Sequence, residues 1–156
     1  MNGLNTIDLE CIANSHSKLK IYFHGVYALD QLPRAVYSYP TAFIINTHPI
    51  SKSGEHWVAI YLDGKCKGTY FDSYGFPPTN SKIIKFLKTN TSTWTYSQKV
   101  LQFPISFLCG GYCIYFLVKK CQGHSLKSIL SNFKSDLQLN DVKINRFLRR
   151  TFAIRL

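Results

Sequence analysis

Four residues of this 156-residue chain carry side chains that together could perform nucleophilic chemistry: His56, Asp72, Gln102 and Cys109. Cys109 follows the loop-like segment QFPISFL and opens the apolar stretch CGGYCIYFL. This pattern predicts that Cys109 lies at a helix N-terminus, where free backbone N–H groups and the helix dipole stabilise a thiolate. The ordinary alternative is that Cys109 is a small buried apolar residue.

Gly110 and Gly111 follow this thiol directly. Because neither has a side chain, the backbone of a substrate could approach closely at this point. We therefore expect both glycines to border a substrate cleft.

His56 and Asp72 are expected to face each other across a β-hairpin. The strand-like segments HWVAIYL (56–62) and TYFDSY (69–74) flank a turn that contains Asp63-Gly64. His56 and Asp72 are equally distant from a turn centre near residue 64, which predicts that they are cross-strand neighbours. Asp72 could then hold the imidazole tautomer and stabilise its charged form. A solvent-facing histidine and a turn-forming aspartate are the alternatives.

Gln102 ends the strand-like segment WTYSQKVLQ (94–102), seven residues before Cys109. Its amide could assist the backbone N–H groups of Cys109 and Gly110 in an oxyanion hole, where donors stabilise developing negative charge. The alternative is a polar residue at the end of a strand.

The remaining elements must position these side chains. We predict an ordered irregular loop over 22–41, a buried strand over 42–47, a helix over 81–90 with Ser81 as its N-cap, a buried helix over 109–123, and amphipathic helices over 125–133 and 141–154. Strands in the middle of the chain with helices after them indicate an α+β fold.

The composition favours one globular domain spanning 1–156, because 46% of the residues are hydrophobic and 15% are aromatic. The longest apolar run, 112–118, is too short to cross a membrane, and the first fifteen residues show no secretory signal. The five cysteines are odd in number and irregularly spaced, which favours reduced thiols. We expect an intracellular, monomeric protein that is neither secreted nor membrane-bound.

The chain is strongly basic, with 19 Lys and Arg against 8 Asp and Glu, a net charge of +11. Lys143, Arg146, Arg149 and Arg150 recur at helical spacing and would form one charged stripe. The stripe could bind nucleic acid through phosphates, without reading sequence. A solvated helix face is the alternative.

A zinc site is a weaker interpretation of the cysteines. Cys109, Cys113, Cys121 and His124 have the spacing C-x3-C-x7-C-x2-H, but Cys113 and Cys121 fall inside one predicted helix. Structural zinc sites use tight cysteine pairs on loops, so we expect no metal and assign Cys113 to the core.

The order His56-Trp57, FDSYG (71–75) and Gln102-x6-Cys109-Gly110 resembles the adenovirus protease (adenain) family. It is still more similar to the adenain-like proteases of Polinton/Maverick transposons and adintoviruses. The resemblance runs in order through six segments: GVYALDQLP (25–33), YPTAFIINTHP (39–49), GEHWVAIYLDG (54–64), YFDSYGFPP (70–78), LQ (101–102) and CGGYCIYFL (109–117).

This resemblance implies a papain-related fold, in which a mixed or antiparallel sheet packs on a buried helix that carries the nucleophile at its N-terminus. It implies that His56 is the general base, Asp72 the orienting acid, Gln102 the oxyanion-hole donor and Cys109 the nucleophile. Trp57 matches the tryptophan beside the catalytic histidine and is expected in the cleft or the core. Adenain has Glu at the position of Asp72, whereas the transposon branch has Asp.

The function implied by the resemblance is a cysteine endopeptidase that processes capsid or core precursors of a virus or virus-like transposon. It would cut beside small residues, often Gly, in the host nucleus or the virion. DNA or a viral peptide could activate it, but segment 91–102 has no Cys for covalent peptide attachment. No other cofactor is expected.

Two other functions stay open. Related proteases deconjugate ubiquitin-like proteins that end in Gly-Gly, and this chain could do the same. It could also be a non-catalytic DNA-binding virion protein on a decayed protease fold. The presence of all four matched residues argues against decay.

Overall fold

A five-stranded sheet forms the centre of the computed structural model, which describes residues 3–154. The strands, hydrogen-bonded in chain order, are β1 (Phe23–Tyr27), β2 (Thr41–Asn46), β3 (Trp57–Leu62), β4 (Lys67–Phe71) and β5 (Thr93–Tyr96). The helices are α1 (Thr6–Ser15), α2 (Leu19–Tyr22), α3 (Ser81–Asn90), α4 (Cys109–Cys121), α5 (Leu126–Ser131) and α6 (Leu137–Phe152). A short 3-10 helix covers Leu29–Gln31.

The sheet is mixed. The three central strands, β2, β3 and β4, pair antiparallel, whereas β1 joins β2 and β5 joins β4 in parallel. This arrangement confirms the expected α+β class with a mixed sheet.

Helices cover both faces of the sheet, because alternate residues of the central strands point to opposite sides. Ala42, Ile44 and Ala59 face the core that contains α1, α4 and α6. Phe43 and Ile45 face a second core, which α3 closes. Every residue of α4 from 110 to 118 is buried, so the helix that is apolar on all sides is the central one, as predicted.

Several boundaries differ from the predictions. The segment 22–41 is not wholly irregular, because β1 and the 3-10 helix lie inside it; Gly25, at φ 151°, interrupts the β1–β2 register. Asn80, not Ser81, caps α3 through a 2.9 Å bond from the N–H of Lys82. The strand predicted over 94–102 ends at Tyr96.

Helix α6 begins four residues before the predicted start, where Asp136 caps it. The sequence pattern did not reveal α1 or α2.

The hairpin turn is centred at Lys65, one residue later than expected. Tyr61 pairs with Thr69, and the N–H of Asp63 bonds the carbonyl of Lys67, so three residues form the loop. Cys66, the last of them, has a left-handed φ of 58°. Three-residue hairpin loops require this conformation at their last position.

The described helices include none that is both long and apolar enough to cross a membrane. All five cysteines are free thiols. Within residues 3–154, no three His, Cys, Asp or Glu side chains come together as a potential metal site, and Cys113 lies inside the core.

We predict that Gly111→Ala destabilises the protein by about 1–3 kcal/mol, the usual result of overpacking a core. A Cβ at Gly111 would lie 2.9 Å from both Ile144 Cγ2 and Leu148 Cδ1 on α6. Denaturant unfolding measures the loss. Gly64→Ala is the matched control, because nothing lies within 4 Å of its added Cβ. Equal stability of the two variants would contradict the close packing of α4 on α6.

Candidate active site

Cys109 is the first residue of α4 and is partly exposed. Leu108 precedes it with non-helical dihedrals, so the helix begins at the thiol as predicted. The first N–H groups of a helix have no intrahelical acceptor, which applies to Cys109 and Gly110. The oxyanion hole built from these amides stays a prediction.

His56 lies directly before β3 and Asp72 directly after β4, at the same end of the sheet. Nε2 of His56 is 2.8 Å from Oδ1 of Asp72, and both side chains are largely buried. Since a carboxylate only accepts, Nε2 carries a hydrogen, and Nδ1 is the ring nitrogen that does not bond Asp72. Cys109 and His56 line the same cleft. The structure thus brings together the thiol, the imidazole and the carboxylate.

The two residues are diagonal, not directly opposite as predicted. Continuing the observed hairpin register places Tyr74 opposite His56 and Asp72 two residues away. The rings of His56 and Tyr74 pack at a tilt of 30°, with centroids 5.0 Å apart. A diagonal pair is still within reach of long side chains, so the hydrogen bond forms despite the shifted register.

The pKa of His56 is raised from 6.5 to about 9. Burial by itself would lower the pKa of His56. The interactions with Asp72 and Cys109, and the charges of both partners, raise the pKa and outweigh the effect of burial. The imidazole is therefore protonated at neutral pH, held between a carboxylate and a thiol.

Backbone contacts fix Asp72 itself. Its Oδ1 also accepts the N–H of Tyr74 at 2.8 Å. The hydroxyl of Ser97 lies 3.0 Å from both the N–H and the carbonyl of Asp72, which links the end of β4 to the segment after β5.

Gln102 is buried beside the thiol rather than at a strand end. Its Nε2 donates to the carbonyl of Ser106 at 2.7 Å, and its Oε1 accepts from the hydroxyl of Ser73 at 2.7 Å. An amide nitrogen has two N–H donors, so one remains for a ligand.

An open cleft of about 870 Å³ borders these groups. His56, Gln102 and Cys109 line it, together with the N-terminal segment 3–6 and much of the connection between β2 and β3. Trp57 lies in the cleft wall, one of the two positions expected for it. Its Nε1 donates to the carbonyl of Leu4 at 2.9 Å, which ties the N-terminal segment to β3.

The prediction that Gly110 and Gly111 border the cleft is wrong. Neither glycine lines it, and both are buried. A Cβ at Gly110 would lie 3.1 Å from Leu9 and 3.4 Å from Trp57, and a Cβ at Gly111 would meet α6. The two glycines allow neighbouring elements to pack closely on α4.

The predicted basic stripe divides into two parts. Arg146, Arg149 and Arg150 are exposed on α6. Lys143 instead donates to the carbonyl of Asn132 at 2.8 Å, and its ammonium lies 5.2 Å from the ring centroid of Phe133. This bond uses one of the three N–H donors of the ammonium, so the role of Lys143 as a phosphate ligand stays a prediction.

The sequence reasoning did not single out four residues that support the site: Ser73, Tyr74, Ser97 and Ser106. Ser73 and Tyr74 belong to the FDSYG motif, so the motif pointed to their neighbourhood without assigning them contacts. Ser97 has no signal in the sequence, since its bonds join segments that only folding brings together. The carbonyl of Ser106 lies four residues after Gln102 in one irregular segment, where no regular spacing predicts the contact.

Comparisons with known proteins give the fold class. No protein-family model matches the chain. A protein of Acanthamoeba polyphaga mimivirus named "Putative thiol protease R355" is 30% identical over 112 residues, 65% of this chain and 37% of that protein. The chain thus spans little more than a third of the length of this curated relative.

Two solved structures share the fold. The ASFV pS273R protease superposes with a TM-score of 0.63 at 16% identity, over 92% of this chain and 66% of that one. ChlaDub1 from Chlamydia trachomatis gives a TM-score of 0.56 at 17% identity, over 72% of this chain and 60% of that one. The fold is therefore that of the papain-related, adenain-like cysteine proteases, as predicted.

The raised pKa of His56 predicts a pH-dependent contribution to stability. Since folding raises this pKa from 6.5 to about 9, the protonated imidazole stabilises the fold fully below about pH 6.5. That stabilisation disappears as the pH rises through about 9. We expect the unfolding free energy of the wild type, relative to His56→Gln, to fall by about 3 kcal/mol from about pH 6 to pH 10.

Chemical denaturation at a series of pH values measures this difference. In an Asp72→Asn background the fall should be much smaller, because the main charged partner of His56 is removed. A difference that stays constant with pH would show that His56 titrates as an ordinary histidine.

Proposed function

We propose that this chain is a cysteine endopeptidase. The observation that carries the proposal is the meeting of three groups at one cleft. Nε2 of His56 lies 2.8 Å from Oδ1 of Asp72, and the thiol of Cys109, at the start of α4, lines the same cleft as His56. A protonated imidazole held by a carboxylate can give its proton to a leaving amine, which acyl transfer to a nearby nucleophile requires. The fold class and the viral relative named as a thiol protease support the same chemistry.

The proposed reaction begins when the Cys109 thiolate attacks the scissile carbonyl carbon. The carbonyl oxygen becomes an oxyanion, which accepts hydrogen bonds from Gln102 Nε2 and the backbone N–H of Cys109. His56 gives its proton to the amine nitrogen as the C–N bond breaks, leaving a thioester. Water then attacks the thioester and returns a proton to His56, and the C–S bond breaks to regenerate the thiolate.

The substrates proposed for this site are precursor proteins of a virus or virus-like transposon, cut beside small residues in the host nucleus or the virion. The mimivirus relative and the ASFV structure support a viral setting. Kinship with the Polinton and adintovirus proteases in particular rests on the ordered motifs of the sequence. DNA or a noncovalently bound peptide is the proposed activator.

We predict that the wild type cleaves a proteome-derived peptide library and that Cys109→Ala does not. Mass spectrometry of the new termini gives the cleavage motif, from which a fluorogenic peptide is made. On that peptide, Gln102→Ala should lower kcat by about 10²–10³-fold, the usual effect of removing one oxyanion-hole donor.

Cys66→Ala is the matched control. Because the thiol of Cys66 lies in the β3–β4 turn, its removal should leave cleavage unchanged. Retained cleavage in Cys109→Ala would refute the nucleophile. Parallel reactions with Gly-Gly-linked ubiquitin-like conjugates, with and without DNA, separate a deconjugase from an endopeptidase. Release of conjugates without cleavage of internal peptide bonds would favour the deconjugase.

A nucleic-acid surface is proposed for the three exposed arginines of α6. Arg146, Arg149 and Arg150 have helical spacing i, i+3 and i+4, which places them on one side of the helix. The net charge of +11 would strengthen attraction to any polyanion. Such binding involves phosphates and should hold the enzyme near DNA-associated substrates.

Log affinity falls as log salt rises. We expect replacement of these arginines by Gln to make this fall less steep, by about 0.9 in slope for each phosphate that is no longer neutralised. Fluorescence anisotropy with a labelled duplex at several salt concentrations measures the slope. The control replaces Lys82, Lys85 and Lys88, three exposed lysines of α3, by Gln and removes the same charge. Equal slopes for the two variants would show that net charge alone, not the α6 surface, governs binding.

A further inference from the structure

Ser73, the residue after Asp72, contacts a different member of the site. Its side chain is fully buried, and its hydroxyl lies 2.7 Å from Oε1 of Gln102. Its backbone carbonyl accepts the N–H of Leu101 at 2.8 Å and that of Gln102 at 3.2 Å. Ser73 therefore holds both the main chain and the side chain of the oxyanion donor.

The carbonyl of Ser106 decides which way the Gln102 amide faces. It lies 2.7 Å from Nε2, and a carbonyl oxygen can only accept. The amide must therefore turn its nitrogen toward Ser106 and its oxygen toward Ser73. Because Oε1 also only accepts, the Ser73 hydroxyl must be the donor in this contact.

We propose that Ser73 is a positioning residue for oxyanion stabilisation, acting through Gln102; this rests on the proposed function. With its oxygen held by Ser73 and its nitrogen by Ser106, the amide is fixed at both ends. The second N–H of Nε2 then keeps one direction before substrate arrives. Preorganised donors stabilise a transition state better than donors that must reorient.

Removal of the Ser73 hydroxyl leaves Oε1 buried without this donor. The terminal torsion of a glutamine side chain has a broad energy profile, so the amide can then rotate. The adjacent Asp72 keeps its own contacts with His56, Tyr74 and Ser97, none of which uses the Ser73 hydroxyl. The effect of the substitution should therefore fall on the oxyanion and not on the thiolate.

The test is a double-mutant cycle on the fluorogenic peptide identified from the library. Ser73→Ala should lower kcat about tenfold, the size expected for one hydrogen bond, with little change in KM. In a Gln102→Ala background the same substitution should have no further effect. Alkylation of Cys109 by iodoacetamide forms no oxyanion, so its rate should be the same in Ser73→Ala and the wild type.

Ser97→Ala is the matched control, because Ser97 is an equally buried serine that bonds Asp72 and does not bond Gln102. In a Gln102→Ala background, Ser97→Ala should lower kcat by the same factor as it does in the wild type. Ser73→Cys keeps the size of the side chain with a weaker donor and should give an intermediate kcat. This variant also carries the test if Ser73→Ala does not fold.

Three results would overturn the proposal: an unchanged kcat in Ser73→Ala, a decrease in kcat that is equally large in the Gln102→Ala background, or unchanged hydrogen exchange at Gln102 in Ser73→Ala. NMR provides a readout that needs no activity. The Nε2 hydrogens of Gln102 should exchange slowly in the wild type and faster in Ser73→Ala. If the wild type cleaves nothing, the proposed function fails, whereas unchanged exchange in Ser73→Ala refutes the positioning role itself.

Discussion

A helix that is apolar on every side must be covered on every side, and this constraint organises the molecule. Helix α4 fulfils it by packing on β3 on one side and on α1 and α6 on others. The core is close-packed, so the helix has little freedom to shift along its axis. Its first residue, Cys109, is thereby fixed at the end of the sheet where β3 begins and β4 ends.

The glycines after Cys109 serve this packing rather than substrate access. Gly110 lets Leu9 and Trp57 approach the first turn of α4, and Gly111 does the same for Ile144 and Leu148. The thiol is partly exposed, yet the helix behind it is surrounded within one turn. Rigidity directly behind a nucleophile favours the fixed geometry that catalysis requires.

The loop that carries Gln102 is held by a separate polar network. The carbonyl of Leu101 accepts Nδ2 of Asn140 at 3.1 Å and lies 3.0 Å from the hydroxyl of Tyr112. Tyr112 also reaches Asp141 of α6 at 2.7 Å. Helix α6 thus stabilises the loop that carries Gln102 from behind. The arginines of the same helix are exposed, so one element combines an internal structural role with the proposed contact with nucleic acid.

Local patterns in the amino-acid sequence predicted most of the elements that carry the candidate residues, and the resemblance of the ordered motifs assigned those residues their expected roles. The change from strand-like to helical periodicity at Cys109, and the hairpin between His56 and Asp72, depend on short-range physics. The register of that hairpin was not predictable, because it depends on a left-handed Cys66 in place of the expected glycine. Strand β1 was not predictable either, since it forms by pairing with a distant segment.

The supporting contacts of the site belong to the folded molecule alone. The ring of Tyr74 packs at a tilt against His56, Ser73 holds Gln102, and Lys143 bonds the carbonyl of Asn132. The bonds of Ser97 likewise join the end of β4 to the segment after β5. No local pattern encodes these contacts, because each one depends on where packing places side chains that the chain itself does not hold together.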